Sequence, residues 1–453
     1  MALAQVEIEK QLAGIIGPEH VTRDTGMLRK CGWEGTASPV MVSPSDGEQV
    51  CEVLRLAHQE QWAVLPAGGG TKQRMGGTPQ RADLLLSLRR LNRIADYQPA
   101  DLTVTAEAGL PIRELDVALR AQGQMLPFDA PFAEQATVGG VLSTDGSGPR
   151  RLGFGTCRDF VIGIRFVTAE GRPAKSGGKV VKNVAGYDMA KMLIGSHGTL
   201  GVITEATFKV FPIPPATATL VIGFRSAGNA LRARHRLLHS PFAIQALDLA
   251  DTEAGKIMPE ETLTAPFNLL VAAGGPDAVV GRFLREVPSL LREDAPEGFL
   301  HVEGESESAL WRRVREMTPQ ALRNHPGTVV VKASLLLSRM GEFMEQARQI
   351  RAATGFPLAL LARAGSGVVY SYLWPASSGE SSSTERLAGA CQSLLAEAER
   401  LEGRGVVEWS PEDVKQRINI WGTLRDDFAL MQRLKAHFDP HNILNPGRFY
   451  GGI

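Results

Sequence analysis

Apolar positions recur along this chain at two spacings, one suited to helices and one to strands. Residues 1–35 read as one or two amphipathic helices. Val40–Val42 then forms a short apolar run, and Ser45 precedes Glu48 by the spacing of a capping box. Val50, Val53, Leu54 and Ala57 follow on one helical face, and Ala63–Leu65 is a second strand-like run. The order is that of a βαβ unit, and it leads directly into PAGGGTKQRMGG at 66–77. Beyond it, LTVTAEAG at 102–109 alternates as a half-buried strand does. Residues 111–123 read as a helix with Pro near its first turn and Gly past its end. A strand is predicted within 159–171 and another at the end of 182–212.

PIPP at 212–215 is a stiff extended segment and the predicted domain boundary. Past it the pattern changes. LVIGF, FNLLVAAG, TVVVKASLLL and GVVYSYLW read as strands, alternating with helices near 227–239, 276–292, 340–353 and 384–402. This predicts an antiparallel sheet with helices on one face, ferredoxin-like or a doubled version of it. SSGESSSTE at 377–385 reads as a solvated loop tip. The expected organisation is a helical segment at 1–35, a first domain at 36–215 and a second at 216–422. A final helix from about 423 and a Pro-punctuated tail, HFDPHNILNPGRF, pack back on the first domain.

The chain has 453 residues, too many for one core. Forty-nine Lys and Arg balance 49 Asp and Glu, which argues against a nucleic-acid partner. Cys31, Cys51, Cys157 and Cys391 are scattered; they form neither a disulfide framework nor an iron–sulfur ligand set. A reducing cytoplasm is therefore expected. The N-terminus lacks the features of a signal peptide, and no apolar run approaches the ~18 residues of a membrane span. Peripheral attachment to the inner membrane through partner subunits stays open.

Glycines gather in three segments, 66–77, 136–148 and 182–212, each beside a predicted strand. Main-chain N–H groups uncovered by side chains form concavities that bind anions. Two such loops suit a diphosphate and a third suits a flat ring. The first follows the second strand of its unit rather than the first, unlike a Rossmann fingerprint, and no Walker A motif occurs. No metal is expected. His437 and His441 stand four apart but enclose Asp439 and Pro440, and His235 and His239 read as a solvated helix face.

Three segments, VLPAGGGTKQRMGG, DAPFAEQATVGGVLSTDGSGPRRLGFGTCRDFVIG and GGKVVKNVAGYDMAKMLIGSHGTLGVITEATFKV, occur in one order. Together they resemble the FAD-linked oxidases of the vanillyl-alcohol oxidase and p-cresol methylhydroxylase type. The third is most similar to the glycolate oxidase FAD-binding subunit and its D-lactate and D-2-hydroxyacid dehydrogenase relatives. The resemblance resumes in FDPHNILNPGRF. It implies an α+β fold, a two-subdomain FAD-binding domain of the p-cresol methylhydroxylase type followed by an antiparallel-sheet cap.

Carried over by position, it implies that Pro66, Ala67, Gly68, Gly69, Gly70 and Thr71 hold the pyrophosphate. Pro131, Thr137, Val138, Gly139 and Gly140 would pass the isoalloxazine and pyrophosphate, continued by Ser143, Thr144, Gly146 and Gly148. Gly153, Gly155 and Asp159 would line the adenosine side, and Gly198, Leu200, Val202 and Ile203 would contact the flavin or its adenosine moiety. Asp145 stands where relatives usually carry Asn, and His197 where they often carry Glu. Flavinylated relatives commonly place a His after the first glycines; Thr71 stands there, so non-covalent FAD is expected.

Catalytic members carry a His-x-His-x-Gly-Asp-Gly-Asn-type stretch in the second domain, and residues 216–436 lack one; ARAGSGVVYSY at 362–372 comes nearest. No catalytic residue is assigned. Arg363 reads as structural rather than as a carboxylate ligand, Cys157 as a small buried residue, and Lys182 and Tyr187 as packing or solvated residues. The implied function is an FAD-binding oxidoreductase, the FAD-binding subunit of a glycolate-oxidase-type complex acting on a small hydroxyacid. A catalytic flavoprotein subunit and an iron–sulfur subunit would complete it. The alternatives are a stand-alone FAD-dependent dehydrogenase of another small alcohol or acid, and a non-catalytic assembly subunit.

Overall fold

The computed structural model describes residues 2–33, 35, 38–178, 187–258, 262–375 and 381–453. The chain divides into two compact units, Met1–Ser147 with Thr156–Ile213 and Leu424–Ile453, and Gly148–Gly155 with Pro214–Thr423.

The first unit is built on two main sheets, beside a short antiparallel pair of Gln124–Met125 with Phe211–Pro212. In the smaller, Val40–Val42, Leu84–Ser87 and Val64–Ala67 run parallel, and Val21–Thr22 pairs antiparallel at one edge. Helix Gly47–Gln59 buries Val50, Val53, Leu54 and Ala57, the face that the periodicity predicts. Its cap is Asp46, which accepts from the Gln49 amide at 2.9 Å. Ser45, the expected cap, bonds instead to the side chains of Asp46 and Gln49.

The larger sheet is antiparallel, in the order Ile94–Gln98, Thr103–Glu107, Val202–Lys209, Val161–Val167, Pro173–Gly177. Thr103–Glu107 is buried along its whole length rather than half-buried. Its polar side chains are covered because they are paired: Thr105 Oγ1 lies 3.0 Å from Thr207 Oγ1, and Glu107 receives the Arg93 guanidinium at 2.8 Å. Helix Phe428–Phe438 and the tail complete this unit. Leu444 bridges in parallel to Val64, extending the smaller sheet at its Val64–Ala67 edge.

The second unit is one eight-stranded antiparallel sheet. Strand Ala216–Phe224 shows its pleat: Leu220, Ile222 and Phe224 point into one core and Val221 into another. Helices Ala227–Leu238, Asp277–Leu290, Met340–Thr354 and Ser381–Arg400 cover the first core. The opposite face is covered as well, by Thr252–Ile257, Gly304–Arg315 and Met317–Asn324. The expected one-sided packing is thus corrected. The signal was Leu310, Val314, Met317 and Ala321 at helical spacing inside a strongly charged stretch. The stretch read as a loop tip at 377–385 is helical from Ser381 onward, and 376–380 lie outside the described residues.

Residues 148–155 belong to the second unit. The short helix Arg151–Phe154 packs on strand Ile244–Asp251 so closely that a Cβ on Gly153 would lie 2.8 Å from Gln245 Cα.

Asp251 caps Thr252–Ile257 by accepting from the Ala254 amide at 2.8 Å, and burial pushes its carboxyl up to about 6. The folded chain therefore holds this proton where the unfolded chain, with its ordinary value near 3.8, has released it. The native state gains from low pH here, and about 3 kcal/mol is lost as pH rises from about 4 to above 6. Asp251→Asn keeps a good cap and removes the titration. Denaturant unfolding across that range should show a flatter pH dependence in the variant and greater stability at neutral pH.

Candidate cofactor site

Strand Val64–Ala67 delivers the chain into the first glycine loop, and everything at this site is arranged around that loop. A cavity of about 770 Å³, its open mouth included, is lined by Pro66–Gln73, by residues of 136–144, by His197 and Gly198, and by Gly201–Ile203. Asn445 and Arg448 from the tail complete it.

Four consecutive amides, those of Gly68, Gly69, Gly70 and Thr71, donate to no acceptor among the described residues. The glycines are dictated from behind. A Cβ on Gly69 would lie 1.7 Å from the Gln135 carbonyl oxygen. Gly70 has φ +77°, and its Cβ would meet the Cys31–Gly32 backbone at 2.4 Å. Close backbone packing on one side leaves the N–H groups bare on the other.

The second segment opens helix Val138–Ser143. The Gly139 amide donates to the Ala108 carbonyl at 2.7 Å, which draws this segment against the larger sheet. Thr137 Oγ1 is buried in the lining with no hydrogen-bond partner among the described residues. Lys72 Nζ crosses between the first two loops to Thr144 Oγ1 at 3.0 Å. The third segment enters through His197, whose backbone has φ +54° and whose ring stacks on Phe449 at 5.1 Å.

The lining contains the cations Lys72 and Arg448 and no Asp or Glu. Bare amides, two cations, an orphan hydroxyl and an apolar wall that includes Leu88, Val141, Val202 and Ile203 suit a ligand with an anionic centre and flat apolar ends.

Of the expected site residues, Pro66, Ala67, Gly68, Gly69, Gly70, Thr71, Thr137, Gly139, Gly140, Ser143, Thr144, Gly198, Val202 and Ile203 line this cavity. Pro131, Val138, Gly146, Asp159 and Leu200 do not. Val138 faces the core, and Gly146 lies behind the second loop, its carbonyl accepting from Cys157 Sγ at 3.2 Å. Asp159 accepts from the Thr156 amide at 2.7 Å and caps a short helix. Gly148, Gly153 and Gly155 lie in the second unit. Sequence reasoning did not assign Lys72, Gln73, Leu88, Ala108, Ala136, Val141, Gly201, Asn445 or Arg448 to the lining. The similarity of the tail segment was the available signal for the last two.

Cys157 is fully buried, and burial pushes its thiol well up, so it is an inert packing residue. Tyr187 is 94% exposed. Lys182 lies outside the described residues. Arg363 is buried and paired with Asp248, a structural role. His235 and His239 are exposed on their helix with rings 4.2 Å apart, and the His441 ring lies 4.5 Å from that of His58. Among the described residues no group of three or more His, Cys, Asp or Glu converges as metal ligands would.

Residues 38–177 match the family described as FAD binding domain, and residues 213–404 and 423–449 match the FAD linked oxidases, C-terminal domain. The chain belongs to the FAD-linked oxidases. It is 25% identical over 460 residues to glycolate oxidase subunit GlcD of Bacillus subtilis, covering 98% of this chain and 97% of that protein. Over 136 residues it is 44% identical to glycolate oxidase subunit GlcE of Escherichia coli, covering 30% of this chain and 39% of that one. The crystal structure of p-cresol methylhydroxylase with substrate bound shares the fold, with a TM-score of 0.78 at 17% identity over 98% of this chain and 96% of that one. This FAD-linked oxidase is thus an α+β flavoprotein oxidoreductase whose cofactor is FAD. No helix among its described residues is long and apolar enough to cross a membrane.

Proposed function

We propose that the cavity of the first unit holds FAD non-covalently and that the chain is the FAD-binding subunit of a glycolate-oxidase-type complex oxidising a small 2-hydroxyacid. The observation that carries the placement is the run of four acceptor-less amides at 68–71, beside Lys72 and Arg448 in a described lining that contains no Asp or Glu. Those amides and the Thr137 hydroxyl would hold the diphosphate, and the apolar wall would exclude water from the ring. Bound FAD supplies a two-electron acceptor for alcohol oxidation and a donor to the next carrier. Thr71 stands where a covalent link would need His, so the cofactor is held by these contacts alone.

Similarity to GlcD over nearly the whole chain and to GlcE over a segment supports a multi-subunit glycolate-oxidase-type assembly, whose further members in this reading are a catalytic flavoprotein subunit and an iron–sulfur subunit. So does the sequence of 216–436. Oxidising a hydroxyacid needs a base near neutral pH, and His235, His239, His301 and His325 include no His-x-His pair. Pro131, Val138, Gly146, Asp159 and Leu200 are proposed as outer contacts of the cofactor. The complex would work in the cytoplasm, held to the inner membrane through partner subunits.

The test is to purify the tagged native chain, record its visible spectrum, and add glycolate or D-lactate without oxygen. Flavin bands, release of the flavin on acid denaturation, slow bleaching of the lone chain and rapid bleaching of the co-purified complex are expected. A lone chain bleached at the full rate would overturn the subunit reading, and flavin retained by the denatured protein would overturn non-covalent binding.

A further inference from the structure

The tail of the first unit buries two cations, and only one has a counter-charge. Lys435, 6% exposed, pairs with Asp439 at 2.7 Å. Arg448, 4% exposed, pairs with no carboxylate of the described residues. Its Nη1 donates to Gln73 Oε1 at 2.7 Å, and its Nη2 donates to the Lys72 carbonyl at 3.0 Å and to the Gln73 carbonyl. Gln73 in turn donates to the Pro66 carbonyl at 3.0 Å, so one guanidinium ties together both ends of the loop bearing the bare amides. Arg448 also lines the cavity. A buried charge without a partner is costly, and desolvation holds the Arg448 guanidinium below its usual range, down to about 10. An anion in the cavity removes that cost.

We propose that Arg448 is the positioning cation for the cofactor's diphosphate, and that dinucleotide binding thereby locks the C-terminal segment onto the first glycine loop. This rests on the placement of FAD in this cavity. The guanidinium, held by its bonds to the loop, completes with its charge what the four amides begin with dipoles. The segment that carries it is held by Val64 and by Asn445, whose Nδ2 donates to the His197 carbonyl at 2.7 Å. Cofactor and tail are therefore coupled: each stabilises the other.

The experiment titrates apoprotein with FAD and with riboflavin, which lacks phosphates, following flavin fluorescence at low and high ionic strength. Arg448→Gln keeps a donor for the loop carbonyls but not the charge. It should weaken FAD binding about 10- to 100-fold, leave riboflavin binding nearly unchanged, and flatten the salt dependence. Arg448→Lys keeps the charge and should lose much less. FAD should slow amide hydrogen exchange at 443–449 in the wild type and fail to do so in Arg448→Gln. Equal losses for FAD and riboflavin, or for Gln and Lys, would reduce Arg448 to a loop brace and overturn the proposal while leaving the cavity assignment intact. If Arg448→Gln does not fold, salt-independent FAD binding by the wild type overturns it instead. Failure of the wild type to bind FAD in this cavity would overturn the placement itself.

Discussion

Gly69→Val should give a folded, colourless protein that does not retain FAD. A side chain here is opposed by backbone. Its Cβ would sit 1.7 Å from the Gln135 carbonyl oxygen and 2.7 Å from the carbonyl carbon. Overpacking against side chains costs ~1–3 kcal/mol because rotamers can give way. Two backbone segments have no rotamer to change, so the first and second loops must part. Parting them moves the amides of 68–71 out of register with Thr137. A loss of about 3 kcal/mol in binding is at least ~100-fold in affinity, enough to lose the cofactor on purification. Gly47→Ala is the control, because nothing lies within 4 Å of a Cβ there and the site is helical. The ratio of absorbance near 450 nm to that of the protein is the readout. A yellow Gly69→Val protein with unchanged affinity would show that the two loops are not held together by this contact.

The second large effect is expected from Asp439→Ala. Lys435 Nζ donates to the Asp439 carboxylate at 2.7 Å, to the Leu444 carbonyl at 2.9 Å and to the Thr199 carbonyl at 3.0 Å. The same carboxylate accepts from the amides of Ile443 at 3.0 Å and Leu444 at 2.7 Å. All three ammonium protons are satisfied, and one carboxylate shapes the turn that returns the chain to Val64. Burial already lowers the Lys435 pKa, so its charge depends on this partner. Removing the carboxylate leaves a buried cation and two orphan amides, a loss of about 3–5 kcal/mol. For a unit of this size the thermal midpoint should fall by roughly 10 °C. Because Leu444 precedes Asn445 and Arg448, flavin affinity should fall with it. The double variant Lys435→Met with Asp439→Asn should recover part of the stability, since no unpaired charge remains. A midpoint within a degree or two of the wild type would show that the tail is not held by this pair.

Legibility differed between the two halves of the molecule for a physical reason. In the first unit, Val50, Val53, Leu54 and Ala57 marked their helix because the periodicity reports one buried face. The cap was misplaced by one residue because Ser45 and Asp46 are both good acceptors, and only the local backbone chooses between them. Thr103–Glu107 alternates in sequence yet is buried on both faces, since pairing Thr105 with Thr207 and Glu107 with Arg93 hides its polar groups. In the second unit the charged surface of Gly304–Arg315 masked the stripe Leu310, Val314 that seats it, so one whole face of the sheet went unread.

By itself the sequence determined the alternation of elements, the two-part organisation and the family. It also marked three glycine-bearing segments, one leaving strand Val64–Ala67 and another entering strand Val202–Lys209. Those features are local, set by spacing along a few turns or by residues that only one backbone conformation accepts. Tertiary structure decided which faces of those loops are bare. Gly69 is a glycine because Gln135 lies behind it, and its amide is available for that same reason. Tertiary structure also placed Thr137, His197, Asn445 and Arg448 around one cavity. Residues so far apart in sequence leave no local pattern. They meet only because the sheets, and the returning tail between Asp439 and Leu444, bring them together.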